Sequence, residues 1–246
     1  MKKIKLIGLL LFFAITVSAQ SKNDKSMAAI EATYETGDYK KTVTSLEKFK
    51  KKVFSKLGGQ NPYTVKYYLM LAKCNLASGR FADFETNLQT AISNCLLIDK
   101  ENSQNHGLLL LDAAQLYTQN GSYRIARNFL EDSKKILEKG GFFKADKKAR
   151  WEVAKAEALT GQGYFSEAEE LLIGQEKYFA GRAIKQETIV DDKGNLKSRK
   201  LPKEELMMRY NDYARLLTSL GDSYGKQGSL KSADSVFVYE IGRAHV

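Results

Sequence analysis

A glycine followed two residues later by an aromatic or leucine recurs along this chain. It appears as Gly37-Asp38-Tyr39, Gly79-Arg80-Phe81, Gly121-Ser122-Tyr123, Gly163-Tyr164-Phe165 and Gly228-Ser229-Leu230. The first three intervals are 42 residues each and the last is 65, one period plus 23. A fixed period of this length marks a repeat architecture, in which each unit buries its apolar face only against its neighbours. The spacing around the glycines is helical: Leu217, Leu220, Gly221 and Tyr224 fall at i, i+3, i+4 and i+7 ahead of the last turn, and Ala233 and Phe237 at i and i+4 after it. Five helix-turn-helix units follow, with glycine supplying the permissive backbone of each turn.

The position seven before the turn glycine holds Ala72, Ala114, Ala156 and Gly221 in the last four units, and Ile30 in the first. The position five after it holds Ala126, Ala168 and Ala233, with Thr42 and Phe84 in the first two units. Small side chains at both places let two helices approach closely. Only 2 prolines in 246 residues, with 43% apolar and 28% charged residues, agree with a globular chain of long helices. The units are joined at Gly58 to Tyr63, Lys100 to Gly107 and Gly140 to Asp146, where Asn61 before Pro62 reads as a helix cap with proline at the first helical position. The 23 extra residues lie between Ala183 and Lys203. There Glu187 to Val190, Asp191 to Asn195 and Leu196 to Leu201 read as strand, turn and strand, a small projecting β-hairpin.

The set Leu217-x2-Leu220-Gly221-x2-Tyr224 with Ala233-x3-Phe237 closely resembles the tetratricopeptide repeat over residues 26 to 239. The period of 42 is similar to the longer repeats of kinesin light chain and of many bacterial proteins. The resemblance implies an all-α, right-handed α-solenoid, carrying the one hairpin insertion. Units one to four then occupy residues 20–183, the hairpin 184–203 and unit five 204–240. It also implies a concave groove lined by the first helix of each pair, binding a protein or peptide. Mapped onto this sequence, the groove residues are Lys66, Leu69 and Lys73, then Asp112, Gln115 and Gln119, then Arg150, Val153 and Glu157, then Arg215, Asp222 and Lys226. Their contacts are expected to be polar and electrostatic, weakening with salt. The Lys and Asn set that holds a peptide's terminal carboxylate in chaperone-binding members is not reproduced. The paired asparagines of kinesin light chain correspond here to Leu69-Met70, Leu111-Asp112, Val153-Ala154 and Thr218-Ser219.

Met1-Lys2-Lys3-Ile4-Lys5, an apolar run from Leu6 to Val17, and Ser18-Ala19 before Gln20 have the order of a secretory signal peptide over 1–19. The run is shorter than the roughly 18 apolar residues a membrane span needs, so no stable membrane anchor and a periplasmic or extracellular location are expected. Removing the leader's three lysines leaves 36 basic residues against 29 acidic. Basic clusters at Lys48 to Lys56, Lys144 to Arg150 and Lys193 to Lys203 lack the interleaved aromatics of single-strand nucleic-acid binders, so nucleic acid is not an expected partner.

Two histidines, His106 in an expected exposed loop and His245 near the end, leave little for a Ser-His-Asp or Cys-His site. No metal-ligand spacing, phosphate loop or dinucleotide fingerprint is present, so neither catalysis nor a cofactor is expected. Cys74 lies five residues before its turn glycine and Cys95 sixteen after its own. An antiparallel pair sets them about ten residues, or roughly 15 Å, out of register, beyond the about 7 Å a disulfide spans. Both are expected as unpaired, buried thiols.

The last residues, Ile241-Gly242-Arg243-Ala244-His245-Val246, depart from the repeat pattern. One reverse translation, ATC-GGA-AGA-GCA-CAC-GTC, resembles the start of a short-read sequencing adapter, so 241–246 are expected to be read-through. On that reading the fifth unit exposes an uncapped apolar face including Leu220, Tyr224 and Phe237. Two function classes follow: an exported scaffold binding protein or peptide, or the sensory and docking half of a longer protein with a downstream caspase-like peptidase or histidine kinase domain in cis.

Overall fold

The computed structural model describes residues 22–99, 101, 103–183, 186–190 and 195–236. The expected leader, the tail at 241–246, Phe237 and the hairpin's turn residues Asp191 to Gly194 lie outside them. The elements alternate long helices with short turns. In chain order they are α1 (22–35), α2 (Tyr39–Leu57), α3 (Pro62–Ala77), α4 (Phe81–Ile98), α5 (Gln104–Gln119), α6 (Tyr123–Lys139), α7 (Ala145–Gln162) and α8 (Phe165–Arg182). Strands β1 (Gln186–Val190) and β2 (Leu196–Lys200) follow, then α9 (Lys203–Lys226) and α10, described over 230–236.

All five periodic glycines sit between the two helices of a pair with φ between 69° and 86°, where a side chain would be strained. Four of the turns close identically. The N–H after the glycine donates five residues back, as Arg80 to Asn75 at 2.8 Å, Ser122 to Tyr117 at 2.9 Å, Tyr164 to Leu159 at 3.0 Å and Ser229 to Tyr224 at 2.9 Å. The glycine N–H itself donates three residues back, to Leu76, Thr118, Thr160 and Gly225. This double closure satisfies the carbonyls at the end of the first helix and needs a left-handed residue between the two bonds.

The close-approach positions are buried in every pair. Ile30, Ala72, Ala114 and Ala156 are no more than 6% exposed and Gly221 is also buried, while Thr42, Phe84, Ala126, Ala168 and Ala233 are no more than 5% exposed. One turn further, Leu46, Leu88, Leu130 and Leu172 are at most 1% exposed, each worth about 1.5 to 3 kcal/mol of apolar transfer. The chain divides into two compact units after Glu101. In the first, α2 packs on α3 and α3 on α4, around Met27, Ile30, Leu46, Phe49, Tyr63 and Tyr67. In the second, α5 packs on α6, α7 on α8 and α8 on α9, while α7 also contacts α5, α6 and α9. The single tryptophan, Trp151, packs with Leu111, Leu130 and Ala154, and its indole N–H donates to the Leu130 carbonyl at 2.8 Å.

Asn61 caps α3 as read, its side chain accepting from the Tyr63 N–H at 2.9 Å with Pro62 at the helix start. The joint at Lys100 to Gly107 is shorter than expected. Ser103 accepts from the His106 N–H at 3.1 Å and starts α5 at Gln104, so His106 is a helical residue only 7% exposed rather than an exposed loop residue. A serine ahead of the helix was the overlooked cap.

The hairpin pairs Gln186 with Lys200 through Val190 with Leu196 in antiparallel register. It accounts for only part of the insertion, because α9 has 24 residues against the 18 of α7. The end face also differs from expectation: Leu220 is 5% exposed, held in a cluster with Leu172, Leu216 and Leu217. Tyr224 is half-buried, its hydroxyl donating to Glu169 at 3.1 Å.

Candidate functional site

In the second unit α7 lies between the first helices of the flanking pairs, α5 and α9. Their C-terminal halves enclose a cleft of about 690 Å³. Thr118 and Gln119 of α5 form one wall, and Glu157, Thr160 and Gly161 of α7 the base. Arg215, Thr218, Ser219, Asp222 and Lys226 of α9 form the other wall, with Tyr123 from the start of α6. Helical periodicity places 215, 218, 219, 222 and 226 on one stripe of α9.

Gly161 determines how closely Tyr123 approaches α7. A methyl group there would sit 2.1 Å from Tyr123 Cε1 and 2.3 Å from Cζ, so the ring lies flush against bare backbone. The charges in the cleft are paired. The Arg215 guanidinium grips Glu157 with two bonds, Nε donating to Oε1 at 2.7 Å and Nη2 to Oε2. The Ser219 hydroxyl lies 3.0 Å from the same Glu157 Oε1 and 2.9 Å from the Arg215 carbonyl. Lys226 Nζ lies 2.8 Å from Asp222 Oδ2. Burial works to lower the Arg215 pKa, but the bonds and charge of Glu157, with the charges of Asp112 and Asp212, raise it above its ordinary value. Asp212, also on α9, has its carboxyl pushed up by burial against the opposing pull of Arg150, Arg182 and Arg215.

Thr160 Oγ1 on α7, on a side chain 4% exposed, and Gln115 Nε2 on α5 are buried polar atoms with no hydrogen-bond partner among the described residues. Gln115 lies one turn before Thr118 and Gln119 on α5.

Of the twelve residues read as groove contacts, Gln119, Glu157, Arg215, Asp222 and Lys226 come together in this cleft. Asp112 helps raise the Arg215 pKa, Arg150 opposes the effect of burial on Asp212, and Gln115 is half-buried one turn before Gln119. Val153 is 3% exposed and packs in the core with Ala149, Ala156 and Leu217. Lys66, Leu69 and Lys73 stand on α3 in the first unit, where Lys66 Nζ lies 3.8 Å from Asp24 and 5.9 Å from the Tyr63 ring centre. Thr118, Tyr123, Thr160, Gly161, Thr218 and Ser219 were missed. A glycine inside a helix two residues before its turn was the available signal for Gly161 and its neighbours.

Among the described residues no group of three or more His, Cys, Asp or Glu side chains could hold a metal ion, and no helix is long and apolar enough to cross a membrane.

No family model matches the sequence and no curated protein does. Solved structures do resemble it. A putative kinesin light chain of Podosopora anserina with nearly identical TPR-like repeats superposes at a TM-score of 0.55 and 16% identity, covering 90% of this chain and 94% of that one. A single-substitution variant of that same protein matches with the same values. BtubC (BKLC) from P. vanneervenii reaches 0.41 at 14% identity, covering 91% of each chain. The fold is therefore TPR-like, an all-α solenoid class of helix-turn-helix repeats bearing one hairpin. At this identity the likeness speaks to the fold alone.

Proposed function

We propose that this chain is an exported repeat scaffold that holds a polypeptide segment of a partner protein in the cleft between α5, α7 and α9. The observation that carries the reading is the convergence, on one concave surface, of side chains from three successive first helices. A site assembled from adjacent repeats suits an elongated ligand, because each repeat contributes contacts at a regular step. A photo-crosslinking amino acid at Gln119, compared with one at exposed Glu131 of α6, tests it in the native compartment. Crosslinks to a polypeptide at 119 and not at 131 are expected; equal labelling at both refutes the cleft. Export rests on the leader's order of charge, apolar run and small residues. Terminal sequencing of the secreted chain should begin at Gln20, and a chain retained with Met1 intact refutes it.

A further inference from the structure

The exposed face of α2 carries charge almost wholly of one sign. Its 19 residues hold seven lysines and one carboxylate. Lys40, Lys41, Lys48, Lys51, Lys52 and Lys56 are exposed, and none of them has an ion pair among the described residues. Lys50, the seventh, lies 5.1 Å from the Tyr67 ring centre. The neighbouring carboxylates are already engaged: Glu47 accepts from the Tyr67 hydroxyl, and Asp38 caps α2 by accepting from the Lys41 N–H at 3.0 Å. With about 3.6 residues per turn, Lys40, Lys41, Lys48, Lys51 and Lys52 fall within about a third of the helix circumference, and Lys40 to Lys56 spans about 24 Å. The opposite face buries Thr42, Leu46, Phe49 and Val53.

This arrangement works against the fold. Lys40 and Lys41 sit in the first turn, at the positive end of the helix dipole, with no acidic residue beside them there. Lys48 neighbours Lys51 and Lys52 at i+3 and i+4, and Lys52 neighbours Lys56 at i+4, spacings at which like charges repel. The second helices of later pairs differ: α6 sets Glu131, Asp132 and Glu138 among its basic side chains, and α4 has Asp83 and Glu85 with no Lys or Arg. We propose that the α2 face docks the protein reversibly on an anionic lipid bilayer, using none of the residues that line the cleft. A lysine ammonium is a point charge without the planar fork with which arginine grips a single phosphate or carboxylate, and α2 has no arginine. The intervals between the six lysines are irregular, at 1, 7, 3, 1 and 4 residues. A linear polyanion of fixed charge spacing would match only some of them, whereas anionic lipids diffuse laterally to meet each. The apolar side of α2 is committed to the core, so docking stays at the headgroups and is reversed by salt.

The test is co-sedimentation of the secreted chain with vesicles of phosphatidylcholine alone, or with about a third phosphatidylglycerol. Binding is expected only to the anionic vesicles and should fall at least about tenfold between about 0.05 and 0.5 M salt. A lysine near such a surface contributes about fivefold to partitioning, so Lys48→Gln, Lys51→Gln and Lys52→Gln together should weaken binding at least about tenfold. The same triple variant should melt at an equal or higher temperature in low salt, because the repulsion along α2 is relieved. Arg124→Gln, Lys135→Gln and Lys139→Gln remove as much charge from exposed positions of α6 and should change binding less than about threefold. Equal loss in the two triple variants overturns the α2 face, and so does equal binding to neutral vesicles. Retention on an immobilised sulfated polysaccharide without vesicle binding overturns the bilayer in favour of a linear polyanion. Binding to neither overturns the docking surface altogether.

Discussion

Replacing Gly161 by alanine sets two effects of opposite sign against each other. In an exposed helix interior the change stabilises by up to about 1 kcal/mol, because glycine loses more backbone entropy than alanine on folding. At 161 the added methyl would sit 2.1 Å from Tyr123 Cε1, 2.3 Å from Cζ and 2.8 Å from Cδ1. Three ring atoms inside contact distance cannot be relieved by a small adjustment, so Tyr123 must leave its seat on α7. Overpacking of this kind typically destabilises by about 1 to 3 kcal/mol, so the clash outweighs the propensity gain. Net destabilisation of about 1 to 2 kcal/mol is expected, lowering the melting temperature by about 2 to 8 °C for a domain of this size. Gly174→Ala is the control: it lies inside α8 with nothing within 4 Å of a new methyl and should stabilise by about 0.5 to 1 kcal/mol. Thermal and urea melts of both variants decide the matter, together with Gly161→Ala in a Tyr123→Ala background, where the penalty should disappear. A stabilised Gly161→Ala single variant, or the same penalty with the ring removed, refutes the reasoning.

Ala126→Leu and Ala168→Leu should each destabilise by about 1 to 3 kcal/mol in urea melts, since both alanines are 0% exposed between paired helices and have no room for three more carbons. Cys74 and Cys95 are free and buried, and burial pushes both thiols up to about 11. Below that pH they remain protonated in the folded chain, so at pH 8 labelling by a thiol reagent should be slow and become fast only in denaturant. Replacing Arg215 by methionine should leave Glu157 half-buried without its partner and destabilise by about 1 to 2 kcal/mol, after allowing for the solvent access of a pair 35% and 20% exposed. Glu157→Gln in that background should recover most of the loss in the same melts.

The repeats were legible because the chain must solve one geometric problem five times. A left-handed turn residue and a small residue at the helix contact each have few chemical solutions, so glycine and alanine recur in phase at Gly121 and Ala126 as at Gly163 and Ala168. The hairpin was legible from its strand-turn-strand composition, whereas the longer α9 was not, since its added residues continue the same helical composition. His106 was misplaced because one serine determined where α5 begins. The groove was half legible. The resemblance to the tetratricopeptide repeat pointed to the face carrying Gln119, Glu157, Arg215 and Asp222, but partner choice depends on distances between helices. Hence neither the internal neutralisation of Glu157 by Arg215 nor the burial of Val153 could be read from spacing. Thr160 shows the limit most clearly, because an unsatisfied hydroxyl is a property of its surroundings rather than of its residue type.

The cleft between α5, α7 and α9 is the proposed polypeptide-binding site. Backbone amide chemical-shift mapping, on the ¹⁵N-labelled full chain titrated with a peptide from the polypeptide crosslinked at Gln119, tests it most directly. The largest shifts should fall at Thr118, Gln119, Thr160, Gly161, Ser219 and Asp222, residues brought together only by the stacking of three repeats. Shifts confined to the exposed faces of α6 and α8, around Glu131 and Glu170, would contradict it.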